Sequence, residues 1–126
     1  MNSPTILSVG YEHQLLRMRS LLLRECLGIE VLEAFNLASA LQMARRKEQL
    51  SAILLCHAVP LAHQCMIIEA ARERHHDIPA LSIFPGVCAP DTAGTPVSND
   101  PEQLLAAISN ALEIQIQTPA DTEQRC

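Results

Sequence analysis

Apolar and polar positions along the chain fall into two kinds of block. Short apolar runs, "TILSVG" at 5–10, "AILLC" at 52–56 and "ALSIF" at 80–84, end on Gly, His or Pro. Such runs predict strands covered on both faces. "IEVLEAF" at 29–35 sets Ile29 and Val31 against Glu30 and Glu33 and predicts a further strand. The blocks between them have helical spacing. From Glu12 to Leu27 the apolar residues Leu15, Met18, Leu22 and Cys26 recur every three or four positions, and Leu16 and Leu23 widen the stripe. This predicts an amphipathic helix with Gly28 as its C-terminal stop.

Asn36 is placed to cap a second helix, whose face is Leu37, Ala40, Leu41 and Ala44. "RRKEQ" is expected at its solvated end. Leu61 to His75 predicts a third helix, with Cys65, Ile68 and Ala71 or Arg72 along one side, broken before Pro79. "VSN" at 97–99 is a stub of a fifth strand. The segment from Asp100 to Ile116 carries an N-cap (Asp100), a proline at the first helical position (Pro101) and an acid in the first turn (Glu102). Its apolar face is Leu104, Leu105, Ile108 and Leu112.

Strands alternating with helices imply a three-layer α/β fold, a parallel sheet with helices on both faces and right-handed crossovers. The pattern does not fix the strand order. One block breaks the alternation: "PGVCAPDTAGTP" at 85–96 holds three prolines and two glycines and cannot be a regular helix. The last residues, "QTPADTEQRC", are polar and aperiodic. The reading is one domain over residues 1–116 and a polar tail over 117–126.

Composition narrows the function classes. With 126 residues and 48% apolar content the chain can bury one core. Tyr11, Phe35 and Phe84 are its only aromatic residues, which leaves few platforms for stacking bases. A net charge of −5 argues against a phosphate-backbone binder, so no nucleic-acid partner is expected. No apolar run reaches the ~20 residues of a membrane span, and "MNSPTILSVG" lacks the features of a secretory signal. The expectation is a cytoplasmic protein with no membrane partner. Five widely spaced cysteines (Cys26, Cys56, Cys65, Cys88 and Cys126) suit reduced thiols better than a disulfide frame.

Three stretches carry a family resemblance. "TILSVGYE" looks like a first strand and its acidic turn, "AILLCHAVP" like a third strand with a downstream proline, and "NDPEQLLAAISNAL" like a last helix. In order and spacing the chain resembles the receiver domain of bacterial response regulators from about Pro4 to Glu113. The resemblance implies a doubly wound sheet of flavodoxin/CheY-like order 2-1-3-4-5. It also implies an aspartate that accepts a phosphoryl group, an acidic pair that holds a divalent metal, a Ser or Thr switch and a lysine. Here the acceptor position falls on Cys56, the acidic pair on Gly10 and Tyr11, the Ser/Thr position on Phe84 and the lysine near Val97. Glu12 is the one neighbouring acid, and a slip of one residue would bring it into the pair.

Phosphoryl transfer is largely positioning and charge neutralisation, and hard Mg²⁺ needs oxygen ligands. The expectation is therefore a pseudo-receiver: no aspartyl phosphorylation, no enzyme activity, no metal and no cofactor. The family's helix between its fourth and fifth strands is expected to be missing or reduced to a loop, because 85–95 is short and broken for a crossover. That would leave part of one sheet face open, with Phe84, Val87, Pro90 and Val97 as a candidate interface for a protein partner or a second copy in a homodimer. The alternative is that the loop folds back over the gap. A reading from a different class makes the chain a thiol- or metal-dependent sensor built on Cys56 with His57, His63, Cys65, His75 and His76. The spacing of "CHAVPLAHQC" matches no common zinc pattern, and a free Cys on a buried strand is usually packed and inert.

Overall fold

The computed structural model describes residues 4–46, 49–84 and 93–112. The strands are β1 (Thr5–Val9), β2 (Glu30–Ala34), β3 (Ala52–Leu55), β4 (Ala80–Phe84) and β5 (Thr95–Ser98). The helices are α1 (His13–Leu27), α2 (Leu37–Ala44), α3 (Leu61–Arg72) and α4 (Pro101–Leu112). All strand pairs are parallel and the sheet order is β2-β1-β3-β4-β5, the CheY-like flavodoxin order. Among the described residues no helix lies between β4 and β5. Residues 85–92, and the tail at 117–126, lie outside the described residues.

Local chemistry accounts for most of the boundaries. Gly28 takes φ 65°, where a Cβ is disfavoured, and its N–H donates to the Arg24 carbonyl to close α1. The Asn36 side chain accepts from the Ser39 N–H at 2.8 Å and starts α2. Asp100 caps α4 in the same way through Gln103 N–H at 3.2 Å, and Pro101 occupies the first helical position. Pro96 lies within β5, which is an edge strand, where a missing N–H is tolerated.

Alternation along the strands sends side chains into two apolar layers. Leu7, Val9, Ile53, Leu55 and Ala80 meet Ala40 and Ala44 of α2 and Ile67, Ile68 and Ala71 of α3. On the opposite face Ile6, Leu54, Cys56, Leu81, Ile83 and Val97 meet Leu16 and Leu23 of α1 and Leu104 and Ile108 of α4. None of the helices among the described residues is long and apolar enough to cross a membrane.

Two helix faces differ from those expected. On α1 the buried residues are Leu16, Ser20 and Leu23. Leu15 and Cys26 are exposed, Leu22 is only half-buried, and Met18 is 66% exposed. The helix carries two apolar rows about 100° apart, and the sheet covers the row that period counting had made secondary. On α3, Cys65 points to solvent while Gln64, Ile67, Ile68 and Ala71 face inward. The helix ends at Arg72, short of His75, and the chain turns through Arg74 and His75, whose N–H groups both reach the Ala71 carbonyl.

Candidate functional site

The C-terminal ends of β1 and β3 meet at Gly10, Tyr11 and Cys56. Backbone bonds extend both strands by a residue, from Gly10 N–H to the Ala34 carbonyl and from Cys56 N–H to the Val9 carbonyl. Ligands in open α/β sheets bind at this end. Here it is filled by protein. The Cys56 thiol is 4% exposed and lies under α1, where Arg19 Nη1 donates to its Sγ at 3.0 Å. A Cβ added at Gly10 would stand 3.0 Å from that sulfur and 3.3 Å from Leu16 Cδ1. Position 10 therefore has room for hydrogen and little more while Cys56 stays in place.

Tyr11 leaves the strand towards α3. Its phenol oxygen is 3.0 Å from His63 Nδ1, and with that nitrogen unprotonated the phenol donates. The rings are tilted, with centroids 5.9 Å apart. The pair bridges the β1–α1 turn and α3 across the mouth of the site. Glu12 sits exposed at the start of α1, close enough for its charge to act on Cys56.

Phe84 is half-buried at the end of β4 and pairs in register with Ser98, while Val97 pairs with Ile83. Val97 is 7% exposed and packs in the α1/α4 layer, so it offers no open surface and does not share the Phe84 row. Val87 and Pro90 lie outside the described residues. Ala93 and Gly94 pack against β4 and α3 beside Ser82 and Gln64. Gln64 Oε1 accepts from Ser82 Oγ at 2.9 Å and from Ala93 N–H at 3.3 Å. The Gly94 N–H donates to Ser82 Oγ at 3.1 Å, and Gln64 Nε2 donates to the Val59 carbonyl at 2.9 Å. This buried polar pin ties α3, β4 and the entry to β5.

The chemistry available at the site is limited. Burial pushes the Cys56 thiol above its ordinary value; the Arg19 charge and hydrogen bond pull it down by less, and Glu12 adds to the rise. The thiol is therefore protonated at neutral pH and is a poor nucleophile. His57 and His76 are exposed, His63 is partly exposed and His75 is buried at the other end of the sheet. Among the described residues no group of three or more His, Cys, Asp or Glu could share a metal ion. The set considered for a thiol or metal sensor is dispersed.

Sequence reading missed Arg19, because α1 also carries Arg17 and Arg24 and nothing in the spacing singles one out. It missed Gln64 and Ser82 for a similar reason, since each is an isolated polar residue in an apolar stretch.

The raised thiol has a measurable consequence. A group whose pKa is higher in the folded than in the unfolded chain stabilises the fold below the unfolded value, and that contribution is lost as pH rises. Unfolding free energy is expected to fall above about pH 9.0, the ordinary thiol value, and Cys56→Ala should flatten that alkaline slope in urea titrations from pH 7 to 10. Alkylation followed by peptide mass analysis should label the exposed Cys26 and Cys65 well before Cys56. Equal labelling rates would contradict the buried thiol.

No family model and no curated protein matches the chain. Solved structures do. The chemotaxis protein CheY4 of Vibrio cholerae superposes with a TM-score of 0.71 at 21% identity, covering 87% of this chain and 99% of that one. A response regulator receiver protein from Sinorhizobium medicae gives 0.70 at 20% identity, over 88% and 95%. The receiver domain of a sensor histidine kinase from Pseudomonas aeruginosa, solved with a magnesium ion coordinated in its active-site cleft, gives 0.71 at 15% identity, over 90% and 99%. At these identities the likeness establishes the fold: this chain has the architecture of a CheY-like receiver domain.

Proposed function

We propose that the chain is a receiver-like signalling module that works through contacts with another protein and accepts no phosphoryl group at an aspartate. The observation that carries this reading is the packing of Gly10, Cys56 and Arg19 into one closed unit at the C-terminal ends of β1 and β3. A phosphoacceptor site needs an ionised carboxylate, oxygen ligands for a cation and space for a tetrahedral anion. This unit supplies a protonated thiol, a hydrogen in place of a side chain and a guanidinium already engaged. The Tyr11–His63 bridge across the mouth favours a single closed arrangement over a switch.

Contact area for a partner is available elsewhere, on the outer side of α1, where Leu15, Met18 and Leu21 are exposed. Exposed apolar side chains gathered on one helix favour association over solvation.

The test is incubation of the full chain with acetyl phosphate and Mg²⁺, read by intact mass. No gain of a phosphoryl group is expected, and none is expected for Cys56→Asp, because Gly10 and Tyr11 still supply no carboxylate. A phosphoryl adduct on the unaltered chain that hydroxylamine removes, mapped to an aspartate, would overturn the proposal.

A further inference from the structure

Among the described residues five large apolar side chains are exposed, and three of them share one helix face. Leu15 is 37%, Met18 66% and Leu21 55% exposed on α1. Met18 stands at the centre. Leu15 and Leu21, three positions before and after it, lie about 60° to either side of it and about 4.5 Å along the axis in opposite directions. Leu22, half-buried, extends the patch on one side. The other two, Leu61 and Met66 on α3, stand about 140° apart round their helix and form no such face.

The spacing of the α1 patch indicates what covers it. A two-fold interface brings the same patch of two copies together, so that residue i meets j and j meets i. Leu15, Met18 and Leu21 meet that condition about Met18. When two α1 helices run antiparallel, Met18 faces Met18 of the second copy, and Leu15 of each copy lies beside Leu21 of the other. Charge selects this direction over the parallel one. Parallel helices would set Arg17 beside Arg17 and Glu25 beside Glu25 and would align their dipoles, whereas antiparallel helices oppose them. The Arg17 side chains, about 100° round from Met18, point away from the antiparallel seam. Glu25 falls about 10 Å from the two-fold axis, at the N-terminal end of the other α1. That helix carries no acid in its first turn, and its N-cap side chain makes no hydrogen bond, so its first N–H groups remain open to an anion. Glu12 at the N-cap offsets part of this attraction.

We infer that the outer face of α1 joins two copies of this chain as an antiparallel helix pair with its two-fold axis at Met18. The inference rests on the reading of the chain as a contact module and names the partner at the α1 surface. It uses a different face from the one around Phe84 and Val97 that the sequence suggested. One helix from each copy covers less than the ~1,200 Å² of stable interfaces, so the dimer is weak and reversible, with a Kd on the order of 100 µM.

Sedimentation equilibrium of the full chain, from about 5 to about 500 µM, tests this. A reversible monomer–dimer equilibrium is expected. Met18→Glu sets two carboxylates against each other across the axis and should weaken association by about tenfold or more. Met18→Lys should do the same with two ammonium groups. Mixed in equal amounts, the two variants should associate again, because the axis then pairs unlike charges. Met66→Glu, at an exposed apolar position on α3, should leave association unchanged. Four results would each overturn the inference: a chain that is monomeric at every concentration, including one whose residues 113–126 cover α1; a dimer that Met18→Glu leaves intact; an equimolar mixture no more associated than its components; or a dimer weakened as much by Met66→Glu. None of these bears on the acetyl phosphate experiment, so the dimer and the proposed function fail separately.

Discussion

Leu16→Ala is expected to lower the unfolding free energy by about 2–5 kcal/mol, the range for emptying a well-packed leucine site. Met18→Ala, two residues along the same helix, should change it by less than about 0.5 kcal/mol. Leu16 is fully buried against the sheet and Met18 is 66% exposed. The contrast is informative because spacing alone ranks the two the other way. The row Leu15, Met18, Leu22, Cys26 is the longer and more regular one, yet Leu16 and Leu23 enter the core. Urea denaturation of the two variants decides the matter. A large loss at Met18 with a small one at Leu16 would mean that α1 is rotated by about a quarter-turn from the arrangement described. The same pair separates core from contact surface: Met18→Glu should keep the fold and weaken any partner that docks on the outer side of α1.

The second large effect is expected at the polar pin beside the shortened crossover. Gln64→Leu leaves Ser82 Oγ with one partner fewer and the Val59 carbonyl and Ala93 N–H without their Gln64 bonds. Buried groups stripped of partners cost about 1–3 kcal/mol each at most sites, so a loss of about 2–3 kcal/mol is anticipated. Ser82→Ala alone should cost less, and the double variant should fall short of the sum by more than about 0.5 kcal/mol, because the two side chains act on each other. Strict additivity in chemical denaturation would show that the network carries no coupling. Gly94 closes the same corner. A Cβ there would stand 2.7 Å from the Ala80 carbonyl oxygen and 2.9 Å from Ser82 Oγ. Gly94→Ala must therefore push the β5 entry off β4, at a cost of about 1–3 kcal/mol. Gly10→Ala should be milder, since its nearest obstacles are the side-chain atoms of Cys56 and Leu16, which can shift.

Much of the scaffold is legible from local chemistry. The apolar runs at 5–9, 52–55 and 80–84 became the three central strands, because a strand covered on both faces has nothing but side chains to meet. Asn36, Gly28, Asp100 and Pro101 set helix ends through bonds that span three or four residues. The strand order came from a likeness in motif order, and the solved receiver domains share it. The boundary of β5 was less clear: the expected stub at 97–99 is a strand at Thr95–Ser98, because Pro96 looks like a breaker unless its strand is known to be at an edge. Phe84 and Val97 were expected on one open face beside the shortened crossover, whereas the parallel register puts Ser98 beside Phe84 and turns Val97 into the α4 layer.

Sequence by itself determined the alternation of strands and helices, the caps, and the absence of carboxylates at Gly10, Tyr11 and Cys56, since each of these depends on residues a few positions apart or on identity alone. The tertiary structure decided which row of α1 is buried, that Arg19 reaches Cys56 from 37 residues away, and that Gln64 finds Ser82 from 18 away. Helical periodicity fixes the angle between two rows of side chains but not the rotation of the helix about its axis over the sheet. That rotation is settled only when all the layers pack at once.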